Sequence, residues 1–441
     1  MQPSLASMTT GFTLEAFESF LAARSEPAWL TELRRSAWAR FNALALPARK
    51  EEEWMRTDIR LFRLEKFGLP TELTAGATAP EALLSVGVEL AGRTTTLNSQ
   101  SLGGDLLAKY RSQGVLFGSL DELVVEHGDL LRKHLFRAVD WQQDKFAALH
   151  AACWSGGTVL YVPSGVVIDE PLHMLTALAA GASSGNPVDL NHTLVILEAG
   201  AQATVLTETV GDNAPSLHCG AIELLVGPGA KLRYVNLQNW GSGTWHFAHQ
   251  KALIEREGRL QWTIGALGSR LAKVNQHVAL VGEYAVAQVN GVMFTEGKQH
   301  LSYQTLQHHC APNCQSDLLY KGALQDQSHL VWRGMIKVAP DAQKTDGYQR
   351  NDNLMLSDSA RADSIPGLEI EADDVRCTHG STAGRVDDSQ IFYARCRGLT
   401  RKEAIRMIVA GFFQQVFDRI TIDSVREALG TAIGRRIREY E

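Results

Sequence analysis

The sequence predicts a mainly β protein, with a β-helix core between helical segments at either end. Three observations predict it. Short β-rich runs punctuated by glycine fill the middle of the chain, turn positions recur there at a fixed interval, and helical apolar periodicity is confined to the two ends. At about 150 residues per folding unit, 441 residues allow roughly three. The changes of texture divide them into an N-terminal α-rich domain over 1–138, a β-helix core over 139–386 and a C-terminal helical domain over 387–441.

From Thr13 to Leu46 the pattern is helical. Thr13 caps a first helix carrying Phe17, Phe20 and Leu21, and Pro27 allows a restart. Leu30, Leu33, Ala37, Phe41 and Leu44 then recur every three or four residues on one face of a second helix, which Pro47 ends. Arg49 to Phe67 is highly charged. Beyond it come strand-like Thr94-Thr95-Thr96-Leu97 and a helix expected around Leu120 to Leu135.

The β-rich runs are Thr158 to Val162, His192 to Leu197, Ala221 to Val226, Leu232 to Leu237, Leu253 to Glu255 and Val278 to Val281. The turn positions Pro171, Gly200, Gly229 and Gly258 stand 29 residues apart, a period that signals a solenoid. No helical pattern lies between the turns and no Asn ladder of a leucine-rich horseshoe is present, so a β-helix fits best, its bore filled by Val, Leu, Ile and Ala. A β-sandwich with evenly spaced turns is the competing form. The register fades after Gly258, since Gly282 follows 24 residues on. After Asp387, Thr400-Arg401-Lys402-Glu403 has the spacing of a capping box, followed by Ile405, Ile408, Val409, Phe412, Phe413 and Val416 at helical spacing. A second cap at Asp423 or Ser424 leads to Val425, Leu429, Ile433 and Ile437. This apolar face exceeds what a short tail buries alone, so it points to packing on the body or on a partner.

Composition excludes several classes. With 45% hydrophobic and 21% charged residues the chain is neither disordered nor collagen-like nor a disulfide miniprotein. Lys plus Arg total 43 against 49 Asp plus Glu, a net charge of −6, which argues against general nucleic-acid binding because phosphate neutralisation needs a basic face. No apolar run approaches the ~20 residues that span a bilayer. Met1-Gln2-Pro3-Ser4 lacks a cationic stretch and Glu15 and Glu18 interrupt the first apolar segment, so a cytoplasmic protein without membrane contact is expected. In that compartment Cys153, Cys219, Cys310, Cys314, Cys377 and Cys396 read as free thiols or ligands. There is no GxxxxGK[ST] loop, no strand followed by GxGxxG, no GxSxG and no HExxH, so any nucleotide hydrolysis belongs to another chain.

Two runs carry metal-type donors. His308-His309-Cys310-Ala311-Pro312-Asn313-Cys314 holds two imidazoles and two thiols, a spacing more common for unrelated thiols than for a site. His246, His249 and the pair His218-Cys219 read as satisfied core or surface groups. Asp373-Asp374-Val375-Arg376-Cys377-Thr378-His379-Gly380 is denser: on a strand, Cys377 and His379 share a face and become iron or zinc donors if other ligands complete the shell. The competing reading is a small packed Cys beside a hydrogen-bonded His. Glu369, Glu371, Asp373 and Asp374 equally offer an acid and base for a glycosidase or lyase on a β-helix.

The runs Lys344-Thr345-Asp346-Gly347-Tyr348-Gln349, Asn353-Leu354-Met355-Leu356-Ser357, Pro366-Gly367-Leu368-Glu369-Ile370, Ala372 to Gly380 and Phe392-Tyr393-Ala394-Arg395-Cys396-Arg397-Gly398-Leu399 resemble the SufB/SufD family of iron–sulfur cluster assembly proteins. Glu52-Glu53-Trp54-Met55-Arg56-Thr57, Val162-Pro163-Ser164-Gly165-Val166 and the stretch His309 to Pro312 extend the resemblance over most of the chain. Within the family the Cys-x-His-Gly run resembles the SufD branch, because Gly380-Ser381-Thr382 follows the histidine where the SufB branch carries an acidic pair. The resemblance implies a right-handed parallel β-helix, pairing with a SufB paralogue and the SufC ATPase docked on the C-terminal helices. It further implies a non-catalytic scaffold on which an iron–sulfur cluster or iron is held transiently, shared with the partner through His379 and Cys377, and a homodimer as one form of the chain alone. Cys310 and Cys314 fall outside the family pattern.

Overall fold

The computed structural model describes residues 11–437. Met1-Gln2-Pro3-Ser4 and the ends of the first and last predicted domains lie outside them. The centre of the molecule is a parallel β-solenoid of about 7 turns, with helices packed against it from both ends of the chain. Each coil gives one strand to each of two sheets. Leu172–Leu178, Gln202–Gly211, Lys231–Asn239, Arg259–Ala266, Val286–Thr295, Gln315–Leu324, Asp346–Met355 and Arg376–Arg385 stack as a first wall. Thr158–Val162, His192–Leu197, Ser216–Val226, Thr244–Ile254, Leu271–Leu280, His300–His309, His329–Val338 and Arg361–Ile370 stack as the second. These neighbours pair in parallel, which rejects the sandwich, whose strands run antiparallel.

The turns explain both the period and its loss. Gly165, Gly200, Gly229, Glu257, Tyr284, Asn313 and Lys344 form one column, all with φ between +57 and +73. The first six N–H groups donate to the carbonyl just before the next column member, at Ala199, Pro228, Arg256, Glu283, Pro312 and Gln343, and that of Lys344 donates to Asp374 in the last coil. Three early members are glycine, which adopts this conformation freely, whereas the later ones are not. The glycine spacing therefore vanishes although the column continues. Gly258 lies one residue past it, and Pro171 lies outside it, the coil equivalent of Gly200 being Gly165.

The bore is apolar over much of its length but not purely aliphatic. Val195, Leu224, Ile254, Leu260 and Val289 fill it as expected, and the rings of Tyr234, Trp262, Tyr303, Tyr320 and Trp332 join them. Burying each such large side chain contributes about 1.5–3 kcal/mol. A Cβ at Gly334 would sit 2.1 Å from the Trp332 ring, so the missing side chain makes room for the indole lying back along its own strand.

Strands from the segment before residue 139 extend both walls beyond the first coils. Gly92–Leu97 and Gln100–Leu106 form a hairpin through Asn98 and Ser99, both at positive φ as a two-residue turn requires, and extend the first wall. Leu116–Ser119 extends the second. The helix Leu14–Ala22 is capped by Thr13 as expected, and Ala28–Ala43 packs on Lys145–Cys153 beside the second wall. Its buried face includes Arg34, whose guanidinium donates to Glu26 and to the carbonyls of Ala152 and Trp154. The helix expected over Leu120 to Leu135 is two short ones, Leu120–Glu126 and Gly128–Leu131.

At the C-terminus Asp388–Cys396 precedes Arg401–Phe417, whose Thr400/Glu403 capping box is formed, and Asp423–Arg436. Ile422 occupies the last N-cap without a side-chain bond, so neither Asp423 nor Ser424 caps that helix. Val409, Phe413 and Val416 are buried with Val235, Leu237, Val292, Phe294 and Leu319 of the first wall. Of the two expected coverings, the body or a partner, the body is the one found: the solenoid covers this face. What stays in solvent is Phe392 at 68%, Tyr393 at 61% and Met407 at 55% exposure. No helix among the described residues is long and apolar enough to cross a membrane.

Candidate metal centre at the open end

Arg376–Arg385 is the last strand of the first wall and pairs on one side alone, with Asp346–Met355. The register sets Cys377 opposite Gly347 and His379 opposite Gln349, both buried. Because side chains alternate along a strand, Cys377 and His379 continue the inward face of the solenoid. Cys377 is half-buried against Ile336, Val338 and Ala342, while His379 is exposed. Facing them, Arg361–Ile370 ends the second wall, and its register with Ile336 and Val338 places Leu368 and Ile370 on the inward side at 38% and 40% exposure. Among the described residues no strand pairs with the outer edge of either terminal strand.

Burial pushes the Cys377 thiol above its ordinary pKa of 9.0, against the opposing effect of the Gly347 N–H. The thiol is therefore protonated near neutral pH and becomes a ligand when a metal displaces its proton. One thiol and one imidazole supply two donors, short of a tetrahedral shell. Among the described residues no group of three or more His, Cys, Asp or Glu is arranged to hold a metal ion.

The other candidates are dispersed. His308 and His309 alternate to opposite faces of their strand, His309 buried on Ser316 and His308 stacked 5.9 Å from His277. Cys314 is buried, its thiol donating to the Gly282 carbonyl, while Cys310 is half-buried. His218 bonds Asp189 at 2.7 Å and His249 bonds Asp144 at 2.8 Å, both as satisfied core groups. Glu369 faces outward in an ion pair with Lys337, and Glu371, Asp373 and Asp374 are exposed. A carbohydrate groove needs aromatic rings on an outer face; five of this solenoid's rings are inside its bore.

Sequence reasoning missed two buried carboxyl groups that hold the N-terminal segment to the solenoid. Glu208 accepts from the N–H groups of Leu83 and Leu84, and Glu223 from those of Phe136, Ala138 and Val139 and from His192, itself bonded to His150. Their sequence signal is slight: a lone Glu within an apolar strand.

The structure is thus a parallel β-solenoid with helices packed on its walls and one thiol and one imidazole on the inward face of its last coil. Family models give its class: the description "SUF system FeS cluster assembly, SufBD core domain" matches residues 180–412 and "SufBD protein N-terminal region" matches 15–174. The chain belongs to the SufBD family of iron–sulfur cluster assembly proteins. Among its relatives, the iron–sulfur cluster assembly protein SufB of Bacillus subtilis is 26% identical over 423 residues, 92% of this chain and 88% of that one. A SufBD family protein of Staphylococcus epidermidis is 26% identical over 410 residues, covering 89% and 86%. One from Staphylococcus saprophyticus is 28% identical over 330 residues, covering 74% and 70%.

Proposed function

We propose that the chain is a non-catalytic, cytoplasmic scaffold of the SufD type, pairing with a SufB paralogue and served by the SufC ATPase. The observation that carries this reading is the coincidence of Cys377 and His379 with two unpaired strand edges at the open end. Exposed edges are templates for pairing with another chain. A paralogue docked there closes the bore and adds the ligands that two donors lack, so iron or a nascent cluster is held as cargo between the subunits. His379 is the leading ligand and Cys377 the second. Alone, the same edges support a homodimer. The ATPase is assigned to the last helices through Phe392, Tyr393 and Met407, because the Phe413 face is already occupied. The carbohydrate-enzyme reading is not favoured, because the family models that match the chain describe cluster assembly.

Cluster formation by the co-expressed complex tests the ligands. His379→Ala is expected to assemble normally yet lose most of its cluster per complex, with a smaller loss for Cys377→Ser; wild-type yield would remove that residue from the mechanism. Docking is read separately. A Phe392→Ser/Tyr393→Ser double variant should keep its fold and lose ATPase in co-purification, and full retention would reject this face.

A further inference from the structure

A pocket unconnected with the open end lies where the charged segment after Pro47 crosses the second wall. It has a volume of ≈340 Å³ and is lined by Arg49, Met55, Arg56 and Asp58 from that segment and by Leu271, His300, His329 and Arg361 from the solenoid. The last four are the first residues of successive strands, paired in register as Leu271 with His300, His300 with His329 and His329 with Arg361. The pocket's size is that of a small-ligand site, at the low end of ~300–1,000 Å³.

Its hydrogen-bond donors can be assigned. Asp363 accepts from His329 Nε2 at 2.9 Å, His329 Nδ1 lies 3.1 Å from His300 Nδ1, and His300 Nε2 lies 3.3 Å from Thr57 Oγ1. With its Nε2–H committed to the carboxylate, neutral His329 offers Nδ1 as an acceptor; His300 donates to it and accepts the Thr57 hydroxyl proton. Both imidazoles are thereby consumed within the protein, and burial holds both below the ordinary imidazole pKa. The carboxylates are also engaged: Asp58 by Arg60, and Asp363 by Arg361 and His329. Arg56 reaches Asp363 at 4.0 Å alone, and Arg49 makes no ion pair among the described residues. In a chain with six more acidic than basic residues, three guanidiniums, those of Arg49, Arg56 and Arg361, therefore line this pocket beside one carboxylate, Asp58, which Arg60 already engages. The unspent donors of Arg49 and Arg56 come from one side and those of Arg361 from the other. A planar carboxylate matches one guanidinium edge, whereas a tetrahedral oxyanion accepts from several directions at once.

We propose that this pocket binds a small tetrahedral oxyanion, inorganic phosphate or the phosphoryl end of a larger metabolite, through Arg49, Arg56 and Arg361. The reading stands apart from the metal function and fails or survives independently of it. The test is phosphorus NMR line broadening with the full chain at fixed ionic strength, using inorganic phosphate and glycerol 3-phosphate as probes and circular dichroism to confirm folding. Saturable binding in the millimolar range or tighter is expected, weakened roughly ten-fold, about 1.4 kcal/mol, in Arg49→Gln and in Arg361→Gln. Arg385→Gln, at an exposed arginine paired with Asp358, should bind as the wild type does. Tighter binding of inorganic phosphate identifies a free ion as the occupant, and tighter binding of the ester a phosphorylated metabolite. Absence of saturation, equal binding by the Arg49 and Arg361 variants, or equal competition by succinate would overturn the proposal.

Discussion

His249 and Asp144 join the second wall to the helix Lys145–Cys153, and one carboxylate serves both partners. Asp144 Oδ1 accepts from the N–H groups of Phe146 and Ala147, capping the helix, while Oδ2 bonds His249. Burial alone drives the imidazole pKa down and the carboxyl pKa up. Their mutual attraction outweighs it, so His249 ends above 6.5 and Asp144 below 3.8. A raised His pKa stabilises the fold at pH below the unfolded value and ceases to as pH rises through the folded one; a lowered Asp pKa stabilises above the unfolded value and ceases to as pH falls. The pair is therefore strongest between about pH 4 and 6.5. His249→Ala should cost ~1.5–3 kcal/mol in that window, because it removes a hydrogen bond to a charged group while the two backbone N–H bonds to Asp144 remain. The deficit should shrink at alkaline pH, and a difference in thermal midpoint that is flat with pH would refute the coupling. That His249 is a satisfied group was readable from residue type. Its partner, 105 residues away, was not.

At the scale of elements, the turn column shows how a repeat outlives its sequence mark. Four of its seven members, Glu257, Tyr284, Asn313 and Lys344, hold positive φ without being glycine. A side chain there costs about 1–2 kcal/mol, partly offset by the lower freedom of the unfolded chain. Glu257→Gly and Lys344→Gly are expected to raise stability by about 0.4–1 kcal/mol and Gly229→Ala to lower it by a similar or larger amount. No atom lies within 4 Å of a Cβ at Gly229, so its change reports the dihedral cost alone. Urea midpoints measure all three, and a stabilised Gly229→Ala would contradict the account. The strand Thr158–Val162 and the Thr400 capping box were legible because alternation and capping act over a few residues. Which of the two, body or partner, covers the C-terminal face was not legible for the opposite reason, since the Val235 to Leu319 surface that covers Phe413 comes from several coils.

For the molecule as a whole, the asymmetry of the two ends matters most. The first coils are extended by the short strands Gln100–Leu106 and Leu116–Ser119, whereas among the described residues the last coil ends in two ten-residue strands, Arg361–Ile370 and Arg376–Arg385, that pair on one side alone, with Leu368 and Ile370 in view. Natural sheets rarely leave such edges without a partner. Leu368→Lys with Ile370→Lys should abolish pairing with the paralogue and any homodimer, measured by light scattering, while leaving the thermal midpoint of the isolated monomer within about 1 °C, as surface changes generally do. Undiminished pairing would move the interface elsewhere.

By itself the sequence determined what is local or repeated: the solenoid from its 29-residue period, the terminal helices from their caps and apolar stripes, and the shared face of Cys377 and His379 from strand alternation. The tertiary structure alone decided what depends on residues far apart in the chain. Glu223 meets Phe136 across 87 positions, and Arg56 meets the wall at Arg361 and His329 only because the N-terminal segment folds back over the coils. Openness is likewise a property of the stack, because whether a strand edge is paired depends on which chain segment arrives beside it, and no local pattern in the last coil encodes that arrival.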